Sequence, residues 1–153
     1  MPTTTTSTRG DALIRECIDA SAQAIRVKDI NALMAQYAPD VVTFDLMPLQ
    51  TQGADAYKKN FEAWFDSVQG PIDYEIRDLR ITMRDDVAFC RYLGHVKSTR
   101  KTGEKNDYWV RVTAGLQKMN GQWMITHEHV SLPFINMETM QAALGSSRSS
   151  ASG

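Results

Sequence analysis

Apolar positions recur every three or four residues along the first half of the chain and every second residue along the rest. Ile14, Cys17, Ile18, Ser21 and Ile25 line one face of a helix predicted from about Asp11 to Lys28, with Thr8 and Asp11 as a capping pair. Asp29 caps a second, shorter helix that carries Ile30, Leu33, Met34 and Tyr37 and ends at Pro39. A short strand follows from Val41 to Leu46. Beyond Pro48 and Gly53, the spacing of Tyr57, Phe61, Trp64, Phe65 and Val68 marks a third helix, stopped by Gly70-Pro71.

The period then changes to two. Ile72, Tyr74 and Ile76 alternate with polar neighbours, and Leu79, Ile81 and Met83 do so with the opposite parity. A one-residue slip near Arg77-Asp78 is what a β-bulge produces, and it bends a strand. Asp85-Asp86 turns the chain into a strand from Val87 to about Ser98, and Thr102-Gly103 turns it into another from Asp107 to Met119. Asn120-Gly121 is a type I′ hairpin signal, since both residues tolerate positive φ, and the last strand runs from Gln122 to Leu132. Helices first and consecutive strands afterwards imply an α+β fold: N-terminal helices packed on a strongly curved antiparallel sheet. The open end of such a cone is a natural place for a pocket.

At 153 residues and 17.2 kDa the chain fits one domain. The expected organisation is a disordered tail over residues 1–9, a single domain over 10–134, and a C-terminal extension over 135–153 that is mostly disordered after 145. Ends rich in Thr, Ser, Ala and Gly bury too little apolar surface to offset the entropy of ordering them. The net charge is −1, with neither sign in a long block, which argues against nucleic acid or an anionic membrane as partner. Lys97, Arg100, Lys101 and Lys105 cluster around Gly103, as on a solvated hairpin tip. Cys17 and Cys90 lie in apolar patterns without metal-type spacing and read as buried free thiols. The first residues lack the apolar run of a signal peptide, and no stretch reaches the ~20 apolar residues of a membrane helix. A cytoplasmic location is expected.

Four stretches carry a family resemblance: Tyr37-Ala-Pro-Asp-Val-Val-Thr-Phe-Asp45, Gly53-Ala-Asp-Ala-Tyr57, Trp109-Val-Arg-Val-Thr113 and Gly121-Gln-Trp-Met-Ile-Thr-His-Glu-His-Val-Ser131. In this order, over about Asp11 to Pro133, they resemble the ketosteroid isomerase and nuclear transport factor two superfamily, and within it the SnoaL-like, polyketide-cyclase-like branch. The resemblance implies a cystatin-like cone; it says less about chemistry, because this scaffold hosts enzymes and non-catalytic proteins alike. Counted from Tyr37, Asp45 falls where the isomerase keeps its aspartate base. The isomerase's tyrosine donor matches Ser21, and its protonated aspartate matches an apolar residue around Val112. The resemblance therefore implies a base without the oxyanion donors, which argues against steroid isomerisation in the strict sense.

Asp45, set among Val41, Val42, Phe44, Leu46 and Met47, is a candidate general base whose pKa burial would raise; a strand-end aspartate bonded to loop amides is the alternative. A two-residue Asn120-Gly121 turn pairs Met119 with Gln122. Extended without a bulge, that register puts Arg111 opposite Val130 and Thr113 opposite Glu128. Trp109, Arg111 and Thr113 then share a face with Thr126 and Glu128, while Trp123, Ile125, His127, His129 and Ser131 share the other, apolar one. On that register His129 is a candidate catalytic partner, and His127 and Ser131 candidate substrate contacts. The two histidines are equally readable as structural, and without a clear third ligand they make a weak metal site. Arg111 either clamps a substrate carboxylate or pairs with Glu128, and Trp109 and Trp123 are candidate pocket walls.

No phosphate loop, nucleophile elbow or paired metal ligands on a helix appear, so no cofactor and no metal are expected. The leading expectation is an isomerase-, cyclase- or dehydratase-like enzyme for a small, apolar carbonyl compound, with Asp45 as base. The alternative is a non-catalytic ligand-binding or homodimerisation domain of the same fold. Sheet faces apolar on both sides also lead one to expect a homodimer.

Overall fold

The computed structural model describes residues 4–143 and contains three helices and eight strands, numbered in chain order. The helices are α1 (Thr4–Val27), α2 (Ile30–Met34) and α3 (Ala54–Ser67). The strands are β1 (Tyr37–Phe44), β2 (Thr51–Gln52), β3 (Val68–Arg84), β4 (Val87–Arg100), β5 (Lys105–Met119), β6 (Gln122–Ser131), β7 (Phe134–Asn136) and β8 (Gln141–Ala142). Helix α1 reaches back to Thr4, into the stretch expected as a tail, so Thr8 and Asp11 lie within the helix and not at its start. The expected disorder after residue 145 lies outside the described residues, as do Met1 to Thr3.

The apolar stripe predicted for α1 is the buried one: Ile14, Cys17, Ile18, Ser21 and Ile25 all lie inside. Asp29 caps α2 by accepting from the Ala32 amide at 3.1 Å. Tyr57, Phe61 and Phe65 of α3 are buried, one turn apart, and Trp64 packs at their margin. Two proline expectations are corrected. Pro39 lies inside β1, where the pairing with β6 breaks between Tyr37 and Val42; Gly70-Pro71 lies inside β3, where the register jumps between Gln69 and Asp73. Both prolines fall where no ladder bond is required of them, which is how a strand tolerates a missing N–H.

Six strands form one sheet in the order β2-β1-β6-β5-β4-β3. Consecutive strands from β3 to β6 pair as antiparallel hairpins, as the turns predicted: Asp85 (φ 50°), Asn120 (φ 53°) and Gly121 (φ 79°) take the left-handed conformations that tight turns require. The sheet is mixed, not wholly antiparallel, because β1 lies parallel to β6. The chain can make that connection because α3 and four strands intervene between them, room enough for a crossover. The predicted bulge in β3 falls between Arg77 and Arg80, with Asp78 at φ 58°. Such irregularities curve the sheet toward the helices, and the core fills the concave side with Ile18, Leu33, Val41, Ile72, Leu116 and Ile125. Among the described residues, no helix is long and apolar enough to cross a membrane.

Candidate functional site

A second bulge decides which side chains meet inside. Leu116 pairs with Ile125, but the next residue, Gly115, pairs with His127, leaving Thr126 without an opposite number; its hydroxyl donates to the Gly115 carbonyl at 3.3 Å. Beyond this point every side chain of β6 changes face relative to an unbroken register. Glu128 therefore lies opposite Ala114 on the concave side, and His127, His129 and Ser131 lie opposite Gly115, Thr113 and Arg111 on the convex side. This reverses the expected grouping of the histidines and Ser131 with Trp123 and Ile125. It also removes the expected Arg111–Glu128 pair: exposed Arg111 donates instead to Ser131 Oγ (3.0 Å) and the Leu132 carbonyl (3.3 Å).

The interior cluster is built around Glu128. The Tyr37 hydroxyl, from the start of β1, donates to Glu128 Oε2 at 2.5 Å. Thr43, fully buried, sits beside Glu128 in the parallel ladder, and its hydroxyl has no protein partner among the described residues. No Lys, Arg or His of the described residues reaches the Glu128 carboxyl as an ion pair. Burial consequently pushes Glu128 up to about 7 from its ordinary 4.5; the Tyr37 hydrogen bond opposes that shift and the charge of Asp45 adds to it. Tyr57 of α3 packs edge-on against Tyr37, ring centres 5.2 Å apart, and Tyr92 of β4 and Tyr74 of β3 are buried nearby. Burial raises all four phenols, with the Glu128 charge adding to each. The thiols of Cys17 and Cys90 are pushed up to about 11 and about 12, by burial first and Glu128 second.

Asp45 stands at the rim of this cluster. Alternation along β1 buries Val41 and Thr43, and the next inward position, just past the strand end, is Asp45. Its Oδ1 accepts from the Leu46 amide at 2.7 Å. Burial raises its pKa, while the Leu46 amide and the Tyr57 hydroxyl favour the charged form and limit the rise. Outward, Asp45 borders an open crevice of about 480 Å³ lined also by Phe44, Leu46, Pro48, Leu49, Gln50 and His129. The structure thus brings Asp45 and His129 to one crevice although they sit on opposite sides of the sheet's edge. The rings of His127 and His129 flank Phe44 at 4.8 and 5.6 Å, and His127 Nδ1 lies 2.6 Å from the Val42 carbonyl, to which it must donate.

The remaining candidates lie apart from this crevice. Trp123 is buried in the core, and Trp109 stacks on His95 at 4.2 Å, with the Arg77 guanidinium 5.0 Å from its ring. Ser21 donates its hydroxyl to the Cys17 carbonyl within its own helix, and Val112 is core, so neither supplies a donor toward Asp45. Among the described residues no group of three His, Cys, Asp or Glu side chains is placed to hold a metal. Glu128, Tyr37 and Tyr57 were not among the expected site residues. A parity change between buried Ile125 and half-buried Val130 was the available signal.

Helices over a curved mixed sheet, with a polar cluster opening at one end, define a domain of the cystatin-like class. The family model for the SnoaL-like domain matches residues 14–135, and the chain belongs to that family. An NTF2-like protein of unknown function from Pseudomonas putida KT2440 is 32% identical, with a TM-score of 0.80 over 90% of this chain and 95% of that one. A ketosteroid isomerase-like protein from Erwinia carotovora atroseptica is 25% identical, with a TM-score of 0.69 over 78% and 93% of the two chains. A candidate scytalone dehydratase from Novosphingobium aromaticivorans shares the fold at 16% identity, with a TM-score of 0.77 over 83% and 86%. Among curated proteins, none matches the chain.

Proposed function

We propose that this protein is a cofactor-independent acid–base enzyme of the isomerase, cyclase or dehydratase kind, acting on a small, largely apolar carbonyl compound with Asp45 as general base. The observation that carries this reading is the position of Asp45: a partly desolvated carboxylate between an apolar-walled crevice and a buried, tyrosine-lined interior. Desolvation raises its proton affinity toward the working pH, and the Tyr57 hydroxyl holds it oriented. His129, across the same crevice, is the group placed to bind the substrate oxygen. The candidate dehydratase among the fold relatives is consistent with this class of chemistry.

The test is proton exchange in D2O at the carbon next to the carbonyl, measured on a panel of small apolar ketones and β-hydroxy ketones. The wild-type protein should accelerate exchange for at least one of them, and Asp45→Asn should lose roughly 10²–10⁴ of that rate with its fold intact. Equal rates for the two proteins would remove Asp45 as the base.

One contact favours a second reading, a ligand-binding domain without chemistry. The bond from the Leu46 amide to Asp45 is also what a loop-capping aspartate makes. On that reading a ligand binds wild-type and Asp45→Asn proteins alike and neither exchanges a proton. In either case the convex face, where Val87, Phe89 and Leu93 are exposed, is the surface proposed for pairing two copies.

A further inference from the structure

We propose that the β7–β8 ribbon is the outer wall of the crevice: it folds over Asp45 and His129, lays Ile135 and Met137 against Leu46, Met47 and Leu49, and so restricts the site to substrates with an apolar ring or chain. This rests on the reading of that crevice as the site of chemistry. Two apolar surfaces stand open at the same end of the sheet. One is the loop after β1, where Met47 is 79% and Leu49 95% exposed, so nothing among the described residues covers them. The other is the ribbon, on which Phe134, Ile135, Met137 and Met140 are all exposed. The parallel pairing of β1 with β6 sets the two side by side. Its last pair is Phe44 with His129, and the loop and the ribbon leave these adjacent strands a few residues further on. Leu46, Pro48 and Leu49 of the loop line the crevice together with His129, and the ribbon continues from the strand that carries His129.

The ribbon is built to move as one piece. Strands β7 and β8 form a two-stranded sheet of their own, with no strand of the main sheet beside them. Asn136 closes the turn by accepting from the Glu138 and Thr139 amides at 2.9 and 3.2 Å, and the Ala143 amide donates to the Pro133 carbonyl at the base at 3.0 Å. Just before that base the chain is fixed. Leu132 packs against the core, and Arg111 ties Ser131 and the Leu132 carbonyl to β5. The hinge is therefore the Leu132-Pro133 junction. A two-stranded hairpin is marginal in water by itself, and one that exposes its large apolar side chains gains from any apolar surface within reach. The loop is that surface. Closure buries both, takes water away from Asp45, and roofs the crevice with side chains that a substrate can meet only through apolar atoms.

The experiment traps the closed form in the full chain. Leu49→Cys is combined with Ile135→Cys or with Met137→Cys and oxidised mildly; Cys17 and Cys90 are buried and stay out of the reaction. At least one pair should cross-link within a single chain about tenfold faster than a control pair, Ile135→Cys with Glu104→Cys, whose second member lies in the β4–β5 turn. If neither pair exceeds the control, or if the product joins two chains, the proposal is overturned. Selectivity is read in the D2O exchange. Met137→Asn, at an exposed position, should keep the urea midpoint and raise KM for cyclohexanone about tenfold, and clearly less for acetone, which is too small to reach the roof. Equal rises for the two ketones remove the selectivity. The two readings fail separately. Trapping together with an Asp45→Asn protein that exchanges protons as well as wild type removes only the catalytic role. No trapping together with an inactive Asp45→Asn protein removes only the wall.

Discussion

The Tyr37 hydroxyl and the Glu128 carboxyl, 91 residues apart in the chain, meet in the core at 2.5 Å with Tyr37 as donor. The bond exists because β1 runs parallel to β6 and the β6 bulge turns Glu128 inward. Removing the donor leaves a buried acid without its partner, a loss of about 1–3 kcal/mol. Tyr37→Phe should therefore lower the urea midpoint without changing the slope of the transition. Because the bond favours the charged carboxylate, the loss should be larger at pH 8 than at pH 5. An equal loss at both values would mean that the phenol contributes packing alone.

The raised pKa of Glu128 has a defined effect on stability. In the unfolded chain this group titrates near its ordinary 4.5, and in the folded protein at about 7. Below the lower value both states hold the proton. Between the two, the unfolded chain has released it and the folded protein has not, so stability falls as pH rises, and it levels off above about 7. Glu128→Gln keeps an acceptor for Tyr37 and removes the titration. Relative to wild type the variant should gain on the order of 3 kcal/mol between pH 4.5 and 8, read by urea unfolding at a series of pH values. Parallel curves for the two proteins would show that Glu128 is not buried as an acid.

Much of this fold was legible because alternation and turn chemistry are local. The parity slip at Arg77-Asp78 placed a bulge in β3, and Asn120-Gly121 fixed the pairing of Met119 with Gln122. Asp45 is singled out in the sequence by its position and its apolar neighbours, and in the structure it borders an open crevice. The polar interior was missed for one reason. Trp123 and Ile125 are buried at odd positions while Glu128 and Val130 turn inward at even ones, the same slip that was informative in β3. In β6 the polar run Thr126 to His129 hides it, because neither parity there looks like core. The β1–β6 pairing was equally hidden, since parallel contacts between distant segments leave no turn signal behind.

Gly94 illustrates a packing constraint that composition does not show. It lies in mid-strand on β4, and a Cβ there would stand 2.7 Å from the Oη and Cε1 atoms of Tyr74. Tyr74 is itself buried and its carbonyl accepts from Arg26 Nε at 2.8 Å, so the ring has little freedom to retreat. Gly94→Ala should destabilise by about 1–3 kcal/mol through overpacking, although alanine is the better strand former. Gly94→Ala combined with Tyr74→Phe should recover part of that loss, because one of the clashing atoms is the hydroxyl. The double-mutant cycle in thermal unfolding measures this coupling, and strict additivity would count against the contact.

Thr43 makes the opposite prediction. It is fully buried beside Glu128, and its hydroxyl finds no protein partner among the described residues. A buried hydroxyl that lacks a partner costs desolvation without return, whereas valine fills the same volume and suits a strand flanked on both sides. Thr43→Val should thus be neutral or stabilising by up to about 1 kcal/mol, while Thr43→Ser, which removes the methyl and keeps the hydroxyl, should cost about 1 kcal/mol. If Thr43→Val instead destabilises by more than Thr43→Ser, the hydroxyl is engaged in solution. The Glu128 carboxyl is then the acceptor to examine, and the ¹³C titration of that group in the Thr43→Val protein would show the change directly.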